Sequence, residues 1–194
     1  MRSGLLGGTF DPIHNGHLIV AEAVRSDFNL DRIFFIPAAV PPHKDSRELS
    51  PENHRLEMVH RAIMGNEHFK VSDFELKSCG ISYTINTIKW FKQSSSYRND
   101  QFFLIIGADS LLDFHTWKDP EEIFNTIKII VMKRPGFDID NVKSEFRNRV
   151  IVAEVPMIEI SSTNIRKRVR EGKSIRYLVP DKVEEYIKMK RLYL

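Results

Sequence analysis

The stretch GGTFDPIHNGH, residues 7–17, joins an apolar segment at residues 3–7 to a helical pattern over about residues 16–28. An apolar run at residues 33–36 follows and is closed by Pro37, which indicates a buried strand. Strand, loop, helix and strand in this order form the crossover unit of parallel sheets, and such crossovers are almost always right-handed. The stretch therefore predicts that the chain begins with an α/β unit.

The remaining sequence continues the alternation of strands and helices. Apolar runs predict strands at residues 69–72, 102–106, 127–132 and 150–155, and helical spacing predicts helices at residues 51–64, 84–91, 119–125, 163–171 and 181–190. Ser50 before Pro51 is typical of a helix cap followed by proline at the first helical position. Near-continuous apolar strands between helices predict the α/β class, with a doubly wound parallel sheet. We find no linker, so we expect a single domain over residues 1–194, with a C-terminal helical subregion at about residues 161–194.

The composition narrows the function classes. The 194 residues carry a formal net charge of +3, which is too mild to predict a nucleic-acid or membrane partner but suits a pocket that binds anions. The single cysteine, Cys79, excludes an intramolecular disulfide and a cysteine zinc cluster. We see neither a signal-peptide pattern nor an apolar run of about 20 residues, so we expect a cytoplasmic protein.

The loop between the first strand and the first helix is suited to phosphate. Gly7 and Gly8 allow the backbone to approach a ligand closely, and the following helix directs its N-terminus to the same place. His14 and His17 can offer two imidazoles to one phosphate group. Each feature alone is equally explained by a chain turn or by surface histidines, but their combination favours an anion site. The dinucleotide-binding and P-loop glycine patterns are absent, which argues against a dehydrogenase and a P-loop enzyme.

Two separated segments resemble signatures of the nucleotidylyltransferase superfamily. Residues 7–17 match G-G-T-F-D-P-x-H-x-G-H, and residues 160–166 resemble I-S-S-T-x-x-R. The resemblance implies a Rossmann-like nucleotidyltransferase fold, in which His14, His17 and Arg166 are catalytic. The implied ATP-binding residues are Gly7, Gly8, Thr9, Phe10, His14, His17, Gly107, Asp109, Ser161, Ser162 and Arg166. An ordinary helix cap at Ser161, a solvated basic face at Arg166 and a helix cap at Asp109 are the alternative interpretations.

Further segments resemble the bacterial nicotinate-nucleotide adenylyltransferases. They are Pro-Pro-His-Lys at residues 41–44, Ile-Ser-Tyr-Thr at 81–84, Gly-Ala-Asp-Ser at 107–110, Thr-Trp at 116–117 and Arg-Pro-Gly at 134–136. The resemblance implies that ATP and nicotinate mononucleotide are the partners, and that Mg²⁺ bridges phosphate oxygens, mostly through water. It also implies a pyridine nucleotide site at Lys44, Tyr83, Thr84, Trp117 and Arg134. In that site we expect Trp117 to stack on the ring, although Tyr83 and Trp117 are equally compatible with the core.

Three alternative functions stay open. Another adenylyl- or cytidylyltransferase of the superfamily would use similar ends of the chain, with pantetheine phosphate as one acceptor. Nicotinamide mononucleotide is a closer rival, because Thr84 and nearby backbone donors can bind an amide as well as a carboxylate. An RNA-binding, synthetase-like module is the third, since residues 166–170 are basic, but the chain is short for a synthetase. We expect loop 37–50 to act as a lid, and the sequence leaves a homo-oligomer open.

Overall fold

The computed structural model describes residues 1–40, 49–78, 80–133 and 142–194, without the side chains of residues 144 and 145. Within these residues, the strands are β1 (Arg2–Gly8), β2 (Arg32–Pro37), β3 (Phe69–Val71), β4 (Gln101–Gly107), β5 (Lys128–Met132) and β6 (Val150–Ala153). The longer helices are α1 (Asn15–Asp27), α2 (Glu52–Ile63), α4 (Thr84–Gln93), α6 (Pro120–Thr126), α8 (Ser162–Arg170) and α9 (Asp181–Lys190). The short ones are α3 (Phe74–Lys77), α5 (Ala108–Leu112) and α7 (Ser144–Arg147), with 3₁₀ turns at Ser95–Tyr97 and Phe114–Thr116.

The strands of the described chain form one parallel sheet in the order β3-β2-β1-β4-β5-β6. This confirms the predicted doubly wound sheet. The order reverses between β1 and β4, and ligands of such sheets bind at this switch point, beyond the carboxyl ends of the strands. The pairing of β1 with β4 ends at Leu6 and Ile105, although β1 continues to Gly8 and β4 to Gly107. Beyond this point the ends of β1 and β4 pair only with their outer neighbours, β2 and β5, which leaves a cleft between them at the switch point.

Helices cover both faces of the sheet. Alternate strand residues such as Leu6, Phe35 and Ile105 form one buried cluster with apolar residues of α1, α2, α8 and α9. The intervening residues, such as Leu5 and Phe34, form a second cluster with residues of α4, α5 and α6. Because both faces are buried, the strands appear in the sequence as near-continuous apolar runs. No helix in the described part of the chain is long and apolar enough to cross a bilayer.

The start of α2 differs from the prediction, and the structure adds two short helices. The cap of α2 is Pro51 rather than Ser50, so the prediction for Ser50 is wrong. The Ser50 N–H instead donates to Oδ2 of Asp11 at 3.1 Å, which ties the start of α2 to the loop after β1. The structure also contains α3 and α5, which the sequence did not predict because helices of four and five residues are too short to show a period.

Candidate active site

The loop after β1 is held in place by aromatic packing. A Cβ atom on Gly8 would lie 2.8 Å from the ring of Phe10, so only glycine fits there. Phe10 has a φ of +50° and its side chain is buried, with its ring edge-on to that of His17 at a centroid distance of 5.2 Å. The Phe10 side chain supports His17 from the core, and the predicted contact of Phe10 with ATP, which would then involve its backbone, stays a prediction.

His14 and His17 form a stacked pair at the start of α1. Their ring centroids are 3.6 Å apart, and the His14 N–H donates to Nδ1 of His17 at 3.2 Å. Because that Nδ1 accepts, the proton of the neutral His17 ring is on Nε2, which can donate to a ligand. A Cβ atom on Gly16 would approach Nδ1 of His14 to 3.1 Å, so a side chain there would press on the pair. His14 caps α1, so both rings lie at the positive end of that helix.

The second signature joins the first at the start of α8. Ser161 caps α8 by accepting the Asn164 N–H at 3.2 Å, which was the alternative interpretation of this residue, and its contact with ATP stays a prediction. The Ser162 hydroxyl donates to the carbonyl oxygen of Pro12 at 2.9 Å, and a guanidinium nitrogen of Arg166 donates to that of Asp11 at 2.8 Å. Arg166 is therefore not on a purely solvated face. These contacts bring two segments that are distant in the sequence into one site.

A cavity of about 970 Å³ lies where these segments meet. Its lining includes the predicted residues Thr9, His14, His17, Asp109, Ser161, Ser162 and Arg166. The three predicted glycines lie at the ends of β1 (Gly7 and Gly8) and β4 (Gly107), on either side of the switch point. The cavity combines imidazole, hydroxyl and guanidinium donors with the N-termini of α1 and α8. Such a set of donors is suited to a chain of phosphates.

A smaller cavity of about 270 Å³ is lined by Tyr83, Thr84 and Trp117, which were predicted to bind the pyridine nucleotide. The Trp117 side chain is half-buried, and its ring stacks on Phe114 at a centroid distance of 4.8 Å. Asp109 lines both cavities, so the two adjoin at this residue. Asp109 is the second residue of α5, whose cap is Gly107, so its interpretation as a helix cap is wrong.

Some predicted residues cannot be placed. Lys44 and Arg134 lie outside the described residues, as do Cys79 and most of the loop at 37–50. Their assignment to the pyridine nucleotide site stays a prediction.

Sequence reasoning missed Arg55, the largest fully buried side chain of the described chain. Its guanidinium donates to the carbonyl oxygens of Thr9 at 2.9 Å, Ala38 at 2.6 Å, Ala39 at 3.2 Å and Ser50 at 3.0 Å. It thereby joins the loops after β1 and β2 to the start of α2. Burial lowers the pKa of Arg55 from its usual value, and the charge of Asp11 opposes this. A signal was present: position 55 lies on the apolar stripe of α2, at helical spacing from the buried positions 58, 59 and 62.

Asp11 is a second buried residue that shapes the loop. Its Oδ1 accepts the Tyr193 hydroxyl at 2.7 Å, and its Oδ2 accepts the Ser50 N–H. Burial, followed by the charge of Asp11, raises the pKa of Tyr193, so the phenol stays protonated and acts as the donor. Both carboxylate oxygens of Asp11 are thus engaged by the protein. Sequence reasoning gave Tyr193 no role, since nothing local marks a partner so far away in the chain.

Comparison with known proteins places this site in a family. The model of the cytidylyltransferase-like family matches residues 5–168. Relatives named probable nicotinate-nucleotide adenylyltransferase, from Thermoanaerobacter sp. (strain X514) and Salinibacter ruber, are 42% and 44% identical over 200 and 193 residues. These alignments cover 100% of this chain in both cases, and 94% and 98% of the relatives.

Solved structures agree on the fold. The nicotinic acid mononucleotide adenylyltransferase of Plasmodium falciparum complexed with NaAD has a TM-score of 0.79 at 19% identity, covering 99% of this chain and 97% of that one. The same enzyme complexed with APC has a TM-score of 0.77 at 18% identity, covering 99% and 96%. At this level of identity the likeness shows the Rossmann-like fold alone.

Proposed function

The chain belongs to the cytidylyltransferase-like family and, within it, to the nicotinate-nucleotide adenylyltransferases, and from this we infer its reaction. It transfers the adenylyl group of ATP to nicotinate mononucleotide, giving nicotinate adenine dinucleotide and pyrophosphate in NAD biosynthesis. The observation that supports this best is the pair of cavities that adjoin at Asp109. One carries phosphate-binding groups and the other an aromatic wall, so a nucleoside triphosphate and a pyridine nucleotide can meet between them.

The phosphate site is suited to transfer without a general base. The 5′-phosphate of the mononucleotide is already anionic, so it can attack the α-phosphorus of ATP directly while pyrophosphate leaves. Catalysis then depends on alignment and on stabilising the charge that develops. His17 would donate from Nε2, with His14 stacked behind it, to the α-phosphate region. The bond from Arg166 to the Asp11 carbonyl fixes its guanidinium, whose remaining N–H groups would hold the β- and γ-phosphates.

The smaller cavity supplies the groups that a pyridine nucleotide requires. Trp117 is braced by Phe114 and would stack on the ring, next to Tyr83. Thr84 is the first residue of α4, so its N–H is among those that a helix leaves without an intrahelical acceptor. That N–H and the Thr84 hydroxyl would bind the substituent of the ring. Lys44 and Arg134 remain the proposed partners of its phosphate, on the strength of the resemblance.

A magnesium ion would enter with ATP. The described residues contain no group of three or more histidine, cysteine, aspartate or glutamate side chains that could hold a metal. Both carboxylate oxygens of Asp11 accept hydrogen bonds from the protein, and the exposed Asp109 lines both cavities. This donor set fits an ion held mainly by phosphate oxygens and water, with Asp109 as a carboxylate in reach and Glu159 also on the lining of the larger cavity. Bound there, Mg²⁺ would neutralise phosphate charge.

Pyrophosphate release from ATP tests the proposal. The purified protein is supplied with ATP, Mg²⁺ and, in turn, nicotinate mononucleotide, nicotinamide mononucleotide and pantetheine phosphate. We expect the fastest release with nicotinate mononucleotide, together with formation of the dinucleotide. Release with pantetheine phosphate alone, or with none of the three, would contradict the proposed reaction.

A further inference from the structure

The smaller cavity is unbalanced in charge. Its described lining includes two carboxylates, Asp109 and Asp113, and a single cation, Lys118. Nicotinate carries a carboxylate that both aspartates repel, whereas the amide of nicotinamide is uncharged. Among the described lining residues, only Lys118 can offset this repulsion by direct attraction.

Lys118 is placed to do so. It follows Trp117, the proposed stacking residue, directly in the chain, and its Nζ lies 4.6 Å from the centroid of the Tyr83 ring. The ring of Tyr83 thus holds the ammonium against the wall of the cavity. Its neighbour Thr84 begins α4, whose first N–H groups are the other donors on this wall. The ammonium, the helix start and the stacking ring therefore surround the same space.

We propose that Lys118 is the residue that selects nicotinate over nicotinamide, by pairing its ammonium with the carboxylate of the ring. This inference rests on the proposed function, because it assigns the pyridine ring to the smaller cavity. The Thr84 hydroxyl and each backbone N–H group can donate to a carboxylate or to an amide oxygen, whereas an ammonium adds an attraction of charge that the amide does not have. The two mononucleotides are identical in their ribose and phosphate. The positive charge of the Lys118 ammonium distinguishes them, because it attracts the carboxylate of nicotinate more strongly than the uncharged amide of nicotinamide.

Steady-state kinetics with both mononucleotides test the assignment. Lys118→Met removes the charge but keeps most of the length, Lys118→Arg keeps the charge, and Lys128→Met is the control at the amino end of β5. We expect Lys118→Met to lower kcat/KM for nicotinate mononucleotide about three- to fivefold through KM, the upper range for an exposed ion pair. The value for nicotinamide mononucleotide and the KM for ATP should stay within about twofold, and Lys118→Arg and Lys128→Met should retain the wild-type preference.

The outcomes separate the two levels of the proposal. An equal loss for both mononucleotides in Lys118→Met would mean that Lys118 binds their shared phosphate, and an unchanged ratio would mean that it binds neither group; either result overturns the inference. If the wild type uses no pyridine mononucleotide at all, the proposed function itself fails. Salt provides a measurement on the wild type alone. Added KCl should raise the KM for nicotinate mononucleotide more than that for nicotinamide mononucleotide, because screening weakens the extra ion pair, and an equal rise would also count against Lys118.

Discussion

Replacing Arg55 by methionine should destabilise the loops at the carboxyl ends of β1 and β2, which Arg55 joins to the start of α2. The guanidinium is buried and binds four carbonyl oxygens, on the loops after β1 and β2 and at Ser50. Methionine fills similar space but donates no hydrogen bond. The four oxygens lose their donor, and the nearby buried carboxylate of Asp11 loses a compensating charge.

The size of the effect follows from these losses. A hydrogen bond to a charged group contributes about 1.5–3 kcal/mol, but four bonds to one side chain are not additive, and burying the guanidinium itself costs desolvation. Removal of one member of a buried charged network typically costs about 3–5 kcal/mol. For a chain of this length, each kcal/mol lowers Tm by about 2–4 °C. We therefore expect Arg55→Met to lower Tm by about 6–20 °C, and to lower kcat because Thr9 is no longer held.

Thermal unfolding followed by circular dichroism measures the change. Arg170→Met is the matched control, since Arg170 is exposed on α8, and it should shift the free energy of unfolding by no more than about 0.5–1 kcal/mol. Arg55→Lys keeps a charge but cannot reach all the acceptors, so it should fall between the two. A Tm for Arg55→Met within 2 °C or so of the control would refute the reasoning.

Three further changes probe the site and its support. His17→Ala should lower kcat by roughly 100–1000-fold with the fold intact, although the lost cap contact lowers Tm somewhat. The control, the exposed His60→Ala, should keep wild-type turnover, and near-normal turnover in His17→Ala would remove His17 from its role. Trp117→Ala should raise KM for the mononucleotide and leave that for ATP unchanged, and Trp90→Ala, outside both cavities, serves as its control. Burial raises the pKa of Glu75 above 4.5, so this carboxyl destabilises the fold as pH rises through its folded-state pKa. In denaturant unfolding, the free energy of unfolding of Glu75→Gln should rise relative to that of the wild type as pH increases. A difference between the two that does not change with pH would contradict this account.

The fold could be predicted because its signals are local. Each long strand is an apolar run and each long helix a periodic pattern, so the alternation from β1 to α9 was visible in the sequence, with ends correct to within one or two residues for most elements. Short elements such as α3 and α5 were missed because four or five residues show no period.

The site could be predicted only where a motif marks it. His14, His17 and Arg166 were found from the two signatures, and the structure brings all three to one cavity. Arg55 was missed because its acceptors are up to 46 positions away, and no local pattern reveals them. Phe10 shows a different limit: the motif marks its position, but only the structure shows that its side chain turns into the core, so that any contact with ATP would involve its backbone.

The contacts that close the phosphate loop join residues very far apart in the chain. Ser162, Arg166 and Tyr193 reach the 11–12 segment across 150, 155 and 182 positions. Such contacts offset their loop-closure entropy only after the sheet has formed, so we expect the site to be assembled late in folding. A nucleotide bound to both α1 and α8 then acts as a non-covalent cross-link between the N-terminal and C-terminal parts of the chain. Hydrogen exchange in α8 should accordingly slow when ATP is present, because ligand binding stabilises the folded site by mass action.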